Sequence, residues 1–216
     1  MKRFLVLVGT IATIGILGSA GPTLAEPITY TETAIASGSL GGTIFTDALI
    51  TLTLIGDTTG VVQPLPDELP DFRFNPGTAT ITIAGLGTAT IFNGTAIIFP
   101  VIPGEIPLPS FGIGQGLVVD GHFTGILGIG SDSLAGYDLQ SALGPFSAAG
   151  EAGATEPDGS PHFFSTSSGN LMLTRGETVV TLTVTPTSVP EPTSLSLLGT
   201  GGLSLLALRR RTKRRG

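Results

Sequence analysis

The 216-residue sequence contains no cysteine and no tryptophan, and only two tyrosines and two histidines. Each shortage excludes something. Without cysteine there are no disulfides, thiolate metal sites, thiol nucleophiles or redox couples, so a domain of this sequence must be held together by packing alone. With only Tyr30 and Tyr137 beside phenylalanine, the aromatic lining common in ligand clefts is scarce, and the eleven phenylalanines read as core. His122 and His162 alone make a poor zinc site, and no His-Glu-x-x-His sequence is present.

Positive charge is scarce too, except at the ends. Eight of the ten basic residues are Lys2, Arg3 and the six within 209–215, and only Arg73 and Arg175 lie between. Fifteen of the sixteen acids fall within residues 26–188, so the overall charge of −6 conceals a central region near −13. Such a surface lacks the clustered Lys and Arg that bind nucleic acid or anionic lipid headgroups. It admits cations, and self-repulsion keeps it soluble.

What the central region has instead is Thr, Gly, Ile, Val and Phe, the composition of pleated surfaces with frequent turns. Residues 48–55 alternate apolar side chains with threonine, and 56–60 close that run as a turn. Gly77-Thr78-Ala79-Thr80-Ile81 recurs as Gly87-Thr88-Ala89-Thr90-Ile91, which predicts a hairpin. Residues 178–184 predict a last strand, and further strands are expected at 29–37, 42–46, 95–99, 117–120, 123–129, 162–166 and 170–174. The fold class expected is all-β: one antiparallel β-sandwich or jelly-roll-like domain of about ten short strands. Residues 63–71, 100–109 and 148–161 read as loops, and 134–143 as a short helix or helical turn.

Few residues carry chemistry. There is no Gly-x-Ser-x-Gly elbow, and Gly112-Ile113-Gly114-Gln115-Gly116 lacks the lysine of a phosphate loop and reads as turns or bulges. The two histidines sit beside turn residues and aromatics, where a structural role is the default. Asp67, Glu68 and Asp71 are the best calcium candidates, because hard cations take several oxygens from acidic loops; Glu151, Glu156 and Asp158 form a second acidic group. Neither has EF-hand spacing. No catalytic residue and no cofactor site is assigned, and a carboxylate-pair hydrolase is the weakest alternative.

The ends are addresses. Met1-Lys2-Arg3, the apolar Phe4–Leu17 and Thr23-Leu24-Ala25 have the form of a secretory signal peptide, with cleavage expected between Ala25 and Glu26, or secondly after Ala20. Such a leader implies signal peptidase and an export translocon as partners. At the other end stand Val189-Pro190-Glu191-Pro192, then Thr193-Ser194, then an uncharged run from Leu195 to Leu208. The prolines make a stiff, extended, exposed stretch. The run would span roughly 21 Å as a helix against about 30 Å of hydrocarbon, marginal for a permanent anchor. Arg209, Arg210, Arg211, Lys213, Arg214 and Arg215 follow and favour a cytoplasmic C-terminus by stop-transfer.

This combination resembles the PEP-CTERM sorting signal of bacterial exported proteins. The resemblance covers residues 189–216 and implies an exosortase-type membrane processing enzyme as partner, transient residence in the inner membrane and an association with extracellular polysaccharide. The organisation expected is a signal peptide at 1–25, an extracytoplasmic β domain at 26–188 and a sorting signal with a transmembrane helix at 189–216. The function expected is an exported, non-catalytic envelope or extracellular-matrix protein; a cation- or glycan-binding surface module is the alternative.

Overall fold

A computed structural model describes residues 25–63, 72–101, 107–115, 124–154 and 160–187. Ten strands form among them: β1 (Pro27–Leu40), β2 (Thr43–Asp57), β3 (Arg73–Ile83), β4 (Gly87–Phe99), β5 (Ser110–Gln115), β6 (Thr124–Gly130), β7 (Leu143–Ala152), β8 (Phe164–Thr166), β9 (Gly169–Leu173) and β10 (Gly176–Pro186). The strands from β1 to β7 follow one another as an antiparallel meander, and β10 lies between β7 and β1. That last pairing, Ile28 opposite Pro186 through Thr33 opposite Thr181, closes an eight-stranded barrel.

The expected sandwich is therefore wrong. A sandwich has two sheets with free edges, whereas here β1 is hydrogen-bonded on both sides and the sheet runs into itself. The alternation of apolar residue and threonine specifies one buried and one wetted face, a condition that both architectures satisfy. The strands are also longer than expected, reaching 14 and 15 residues in β1 and β2. The proposed signal helix and transmembrane helix lie outside the described residues, among which no helix is long and apolar enough to cross a membrane.

Local readings are corrected as well. The glycine-rich stretch expected as turns overlaps strand β5, in which Phe111 and Ile113 point inward and alternate with Gly112 and Gly114. Strand β7 runs to Ala152, through the start of the expected 148–161 loop. The segment 134–143, expected as a helical turn, is turns and bends leading into β7, touched only at Leu134 by the 3-10 turn Asp132–Leu134.

The core fills the lumen. Ile28, Leu52, Leu54, Ile81, Ile113 and Leu182 are wholly buried, each burial contributing about 1.5–3 kcal/mol. Except for the buried Thr95 and Thr166, the strand threonines face outward, so the barrel is largely apolar inside and hydroxylated outside, the reverse of a lipid-facing barrel. The hairpin β8–β9 tapers one pole: β9 continues the edge of β1 beyond β10, and β8 reaches β4 at Ile91. There the wall is a ring of six strands instead of eight. The Gln115 amide splices this junction, donating to the carbonyls of Phe92 (2.8 Å) and Ser165 (3.2 Å) and accepting from the Ser165 N–H (2.9 Å).

Glycines let the wall bend. At the β3–β4 bulge Gly77 faces Gly94. A Cβ on Gly94 would sit 2.3 Å from the Ala79 Cβ, and one on Gly77 2.4 Å from the Ile55 carbonyl oxygen. We expect Gly94→Ala to destabilise the barrel by about 1–3 kcal/mol through overpacking. Gly176→Ala, where nothing lies within 4 Å, should be nearly neutral. Urea midpoints of the two variants test this; equal midpoints would refute it.

Candidate functional site

Polar groups buried in the lumen form the most distinctive cluster. Strand β1 turns Ile28, Tyr30, Glu32 and Ala34 inward in strict alternation, which places a carboxyl group among aliphatics. Glu32 is 0% exposed. Its Oε2 accepts a hydrogen bond of 3.1 Å from the backbone N–H of Ile113, on β5. That residue sits at an irregularity in the β5–β6 ladder, where the register shifts between Ile113 and Gly114. The carboxyl group thus braces one wall of the barrel against another at a place where the ladder is broken.

Beside it, the Tyr30 hydroxyl donates to the Leu139 carbonyl and accepts from the Asn75 side-chain N–H at 2.8 Å. Asn75 also donates to the carbonyl of Asp57 at 3.1 Å. The Tyr30 ring stacks on Phe111 with centroids 5.8 Å apart. Tyr137 donates to the Ser141 carbonyl at 2.9 Å, and Arg73 donates to the Tyr137 carbonyl at 3.4 Å. These bonds tie the segment between β6 and β7 to β1 and β3. Two acceptors, Oε1 of Glu32 and Oδ1 of Asn75, are buried with no hydrogen-bond partner among the described residues.

Burial controls the electrostatics. It raises the Glu32 carboxyl well above its ordinary value, and the Ile113 N–H only partly offsets this. Burial likewise raises the phenols of Tyr30 and Tyr137, with Asp138 adding to both shifts. Burial would raise Asp138 too, yet hydrogen bonds from the backbone of Gln140 and from the hydroxyl and N–H of Ser141 more than offset it and hold its carboxyl low. Sealed from solvent, Glu32 braces one wall of the lumen against another.

The outer wall offers a shallow groove of about 380 Å³ over β5–β7, lined by Ser110, Gly128, Glu151 and Arg175 among others. Glu151 and Arg175 pair at 3.4 Å with both side chains 57% exposed, so the pair is well solvated and worth little.

Of the residues singled out in sequence, few can be placed. Ala25 and Glu26 are exposed at the rim, and the Glu26 backbone exchanges hydrogen bonds with Thr58. Asp67, Glu68, Asp71, Glu156, Asp158 and His122 lie outside the described residues. His162 packs edge-on against Phe164 at 4.7 Å, and its backbone N–H bonds the Ala154 carbonyl. Among the described residues no three His, Asp or Glu side chains converge as a metal site would require. The tract Val189–Pro192 and the basic cluster Arg209–Arg215 also lie outside them.

That tract is where comparison with known proteins is informative. Residues 188–211 match the family model described as the PEP-CTERM protein-sorting motif. The chain carries a PEP-CTERM sorting signal. The signal supports an exported protein handled by an exosortase-type enzyme. No curated protein and no solved structure matches the chain.

The lumen belt was missed in sequence, although one signal was visible: Glu32 falls in phase with Ile28, Tyr30 and Ala34. Its raised pKa sets a pH dependence. Between the ordinary glutamate value near 4.5 and the higher folded value, the folded chain holds one proton more than the unfolded chain. Stability from this group is therefore complete below pH 4.5 and falls as pH rises through the folded pKa. Glu32→Gln should flatten that decline and unfold at higher urea than the parent at neutral pH. A parallel pH profile for both proteins would refute the assignment.

Proposed function

We propose that this chain is an exported, non-catalytic barrel protein of the envelope or extracellular matrix. A leader ending at Ala25 delivers it. Leu195–Leu208 holds it in the inner membrane with the Arg-rich end in the cytoplasm, and an exosortase-type enzyme acts near Pro190-Glu191-Pro192 so that the barrel passes to the surface or the medium. The observation that carries this reading is the sorting-motif match at residues 188–211. The charge division supports it: the basic cluster that would stop transfer is confined to the tail, and residues 26–188 are soluble through their acidity. The sealed lumen, with its titratable groups committed to bracing, supports a role without catalysis.

Protein isolated from the native host should lack Arg209–Arg215, and fractionation should find it outside the cytoplasm. Mass measurement of intact mature chains that all retain the cluster would sink the processing step. A cation- or glycan-binding module is the second reading, favoured by the large acidic excess. The first reading expects the Tm to be unchanged by millimolar calcium, and a calcium-dependent rise would move the assignment to the second.

A further inference from the structure

The threonines of the outer wall are in register. Thr183, Thr31, Thr53, Thr80 and Thr90 form one row across β10, β1, β2, β3 and β4. Thr181, Thr33, Thr51, Thr82 and Thr88 form the row beside it. Aliphatic side chains bracket the rows. Ile35 lies opposite Leu49 at one end, with Val179 two residues along β10 from Thr181, and Ile55 lies opposite Thr29 at the other end. These four are each half exposed or more, between 50% and 65%. No charged residue occupies any of these positions, although residues 26–188 carry a net charge near −13.

We propose that this face is where two copies of the chain meet. Like-charged barrels repel one another over any face that carries their acids, and the threonine field is free of charge. The field is also self-complementary. The outward side chains of β2 read Leu49, Thr51, Thr53, Ile55, the same in type from either end. A two-fold axis lying in the interface between Thr51 and Thr53 sets Leu49 on Ile55 of the partner subunit and Thr51 on Thr53 of the partner subunit, as an isologous contact requires. It also brings Asp47 toward Asp57 of the partner subunit at the margin, a like-charge approach that salt screens. Convex walls touch along a strip of few strands, so the contact is small and the dimer weak. It strengthens with salt, because salt screens the repulsion of the remaining surface and the contact contains no ion pair to weaken. This goes beyond the sorting role and does not depend on it.

The absence of native cysteine makes the test clean. A Thr51→Cys/Thr53→Cys form of the full chain, purified in detergent and mildly oxidised, should give a disulfide-linked dimer on a non-reducing gel. Within one copy these two side chains point the same way from one strand, with Cβ atoms roughly 6–7 Å apart against about 3.5–4.5 Å in a disulfide, too far for an internal bridge. Adding Ile55→Lys should remove the dimer, and Ser110→Cys, on the far wall, should not form one. Light scattering of the purified full chain with intact β2, in detergent, should show association that rises with concentration and salt. No cross-link from the double-cysteine form, an equal cross-link from Ser110→Cys, or a monomer at every salt concentration would overturn the proposal. A monomer that instead bound a neutral polymer would give the face a different occupant.

Discussion

The pairing of β1 with β10 is the constraint on which the molecule depends. It joins the first and last strands of the described fold, turns a curled sheet into a closed wall and removes its edges. In a chain without disulfides, closure is the means by which the two ends of the domain hold each other. Every inward side chain then shares one lumen, and an eight-stranded lumen is narrow enough for side chains to fill. The Glu32 brace follows from this. A carboxyl group on β1 can meet an N–H on β5 because closure brings those walls to face each other, and only a filled lumen excludes the water that would otherwise solvate it.

The outside is a consequence of the same geometry. Closure leaves every strand with one wet face, and threonine suits that face because its branched side chain fits the pleat and its hydroxyl meets water. Register then converts a local composition into an ordered surface: T-x-T runs scattered through the sequence become rows. The wall is not uniform. Around β5–β7 glycine replaces threonine, and there the sheet exposes backbone and a solvated ion pair in place of hydroxyls.

How much was legible in the sequence differs between elements. The β3–β4 hairpin could be read from its repeat, since a five-residue unit returning after ten residues aligns two alternating strands. Strand β5 could not, because Gly112 and Gly114 stand where outward side chains would have marked the alternation. Closure was illegible for a deeper reason. Alternation reports which face is buried and says nothing of which strand lies beside which. The lumen belt depends on contacts between residues 45 and 81 positions apart, Asn75 with Tyr30 and Ile113 with Glu32, which no local pattern carries. The sorting signal was readable because it is linear, and its recognition rests on order and composition within one short tract.

The end of β10 has a consequence for that tract. Strand β10 finishes at Pro186, and the Thr187 N–H is bonded to the Pro27 carbonyl at 2.8 Å. Only Ser188 then separates the barrel from Val189. At no more than about 3.6 Å per extended residue, the leash between the folded rim and the Pro-Glu-Pro tract is shorter than the rim is wide. On the proposed reading, an enzyme acting there would work close against the barrel and would release it with almost nothing trailing.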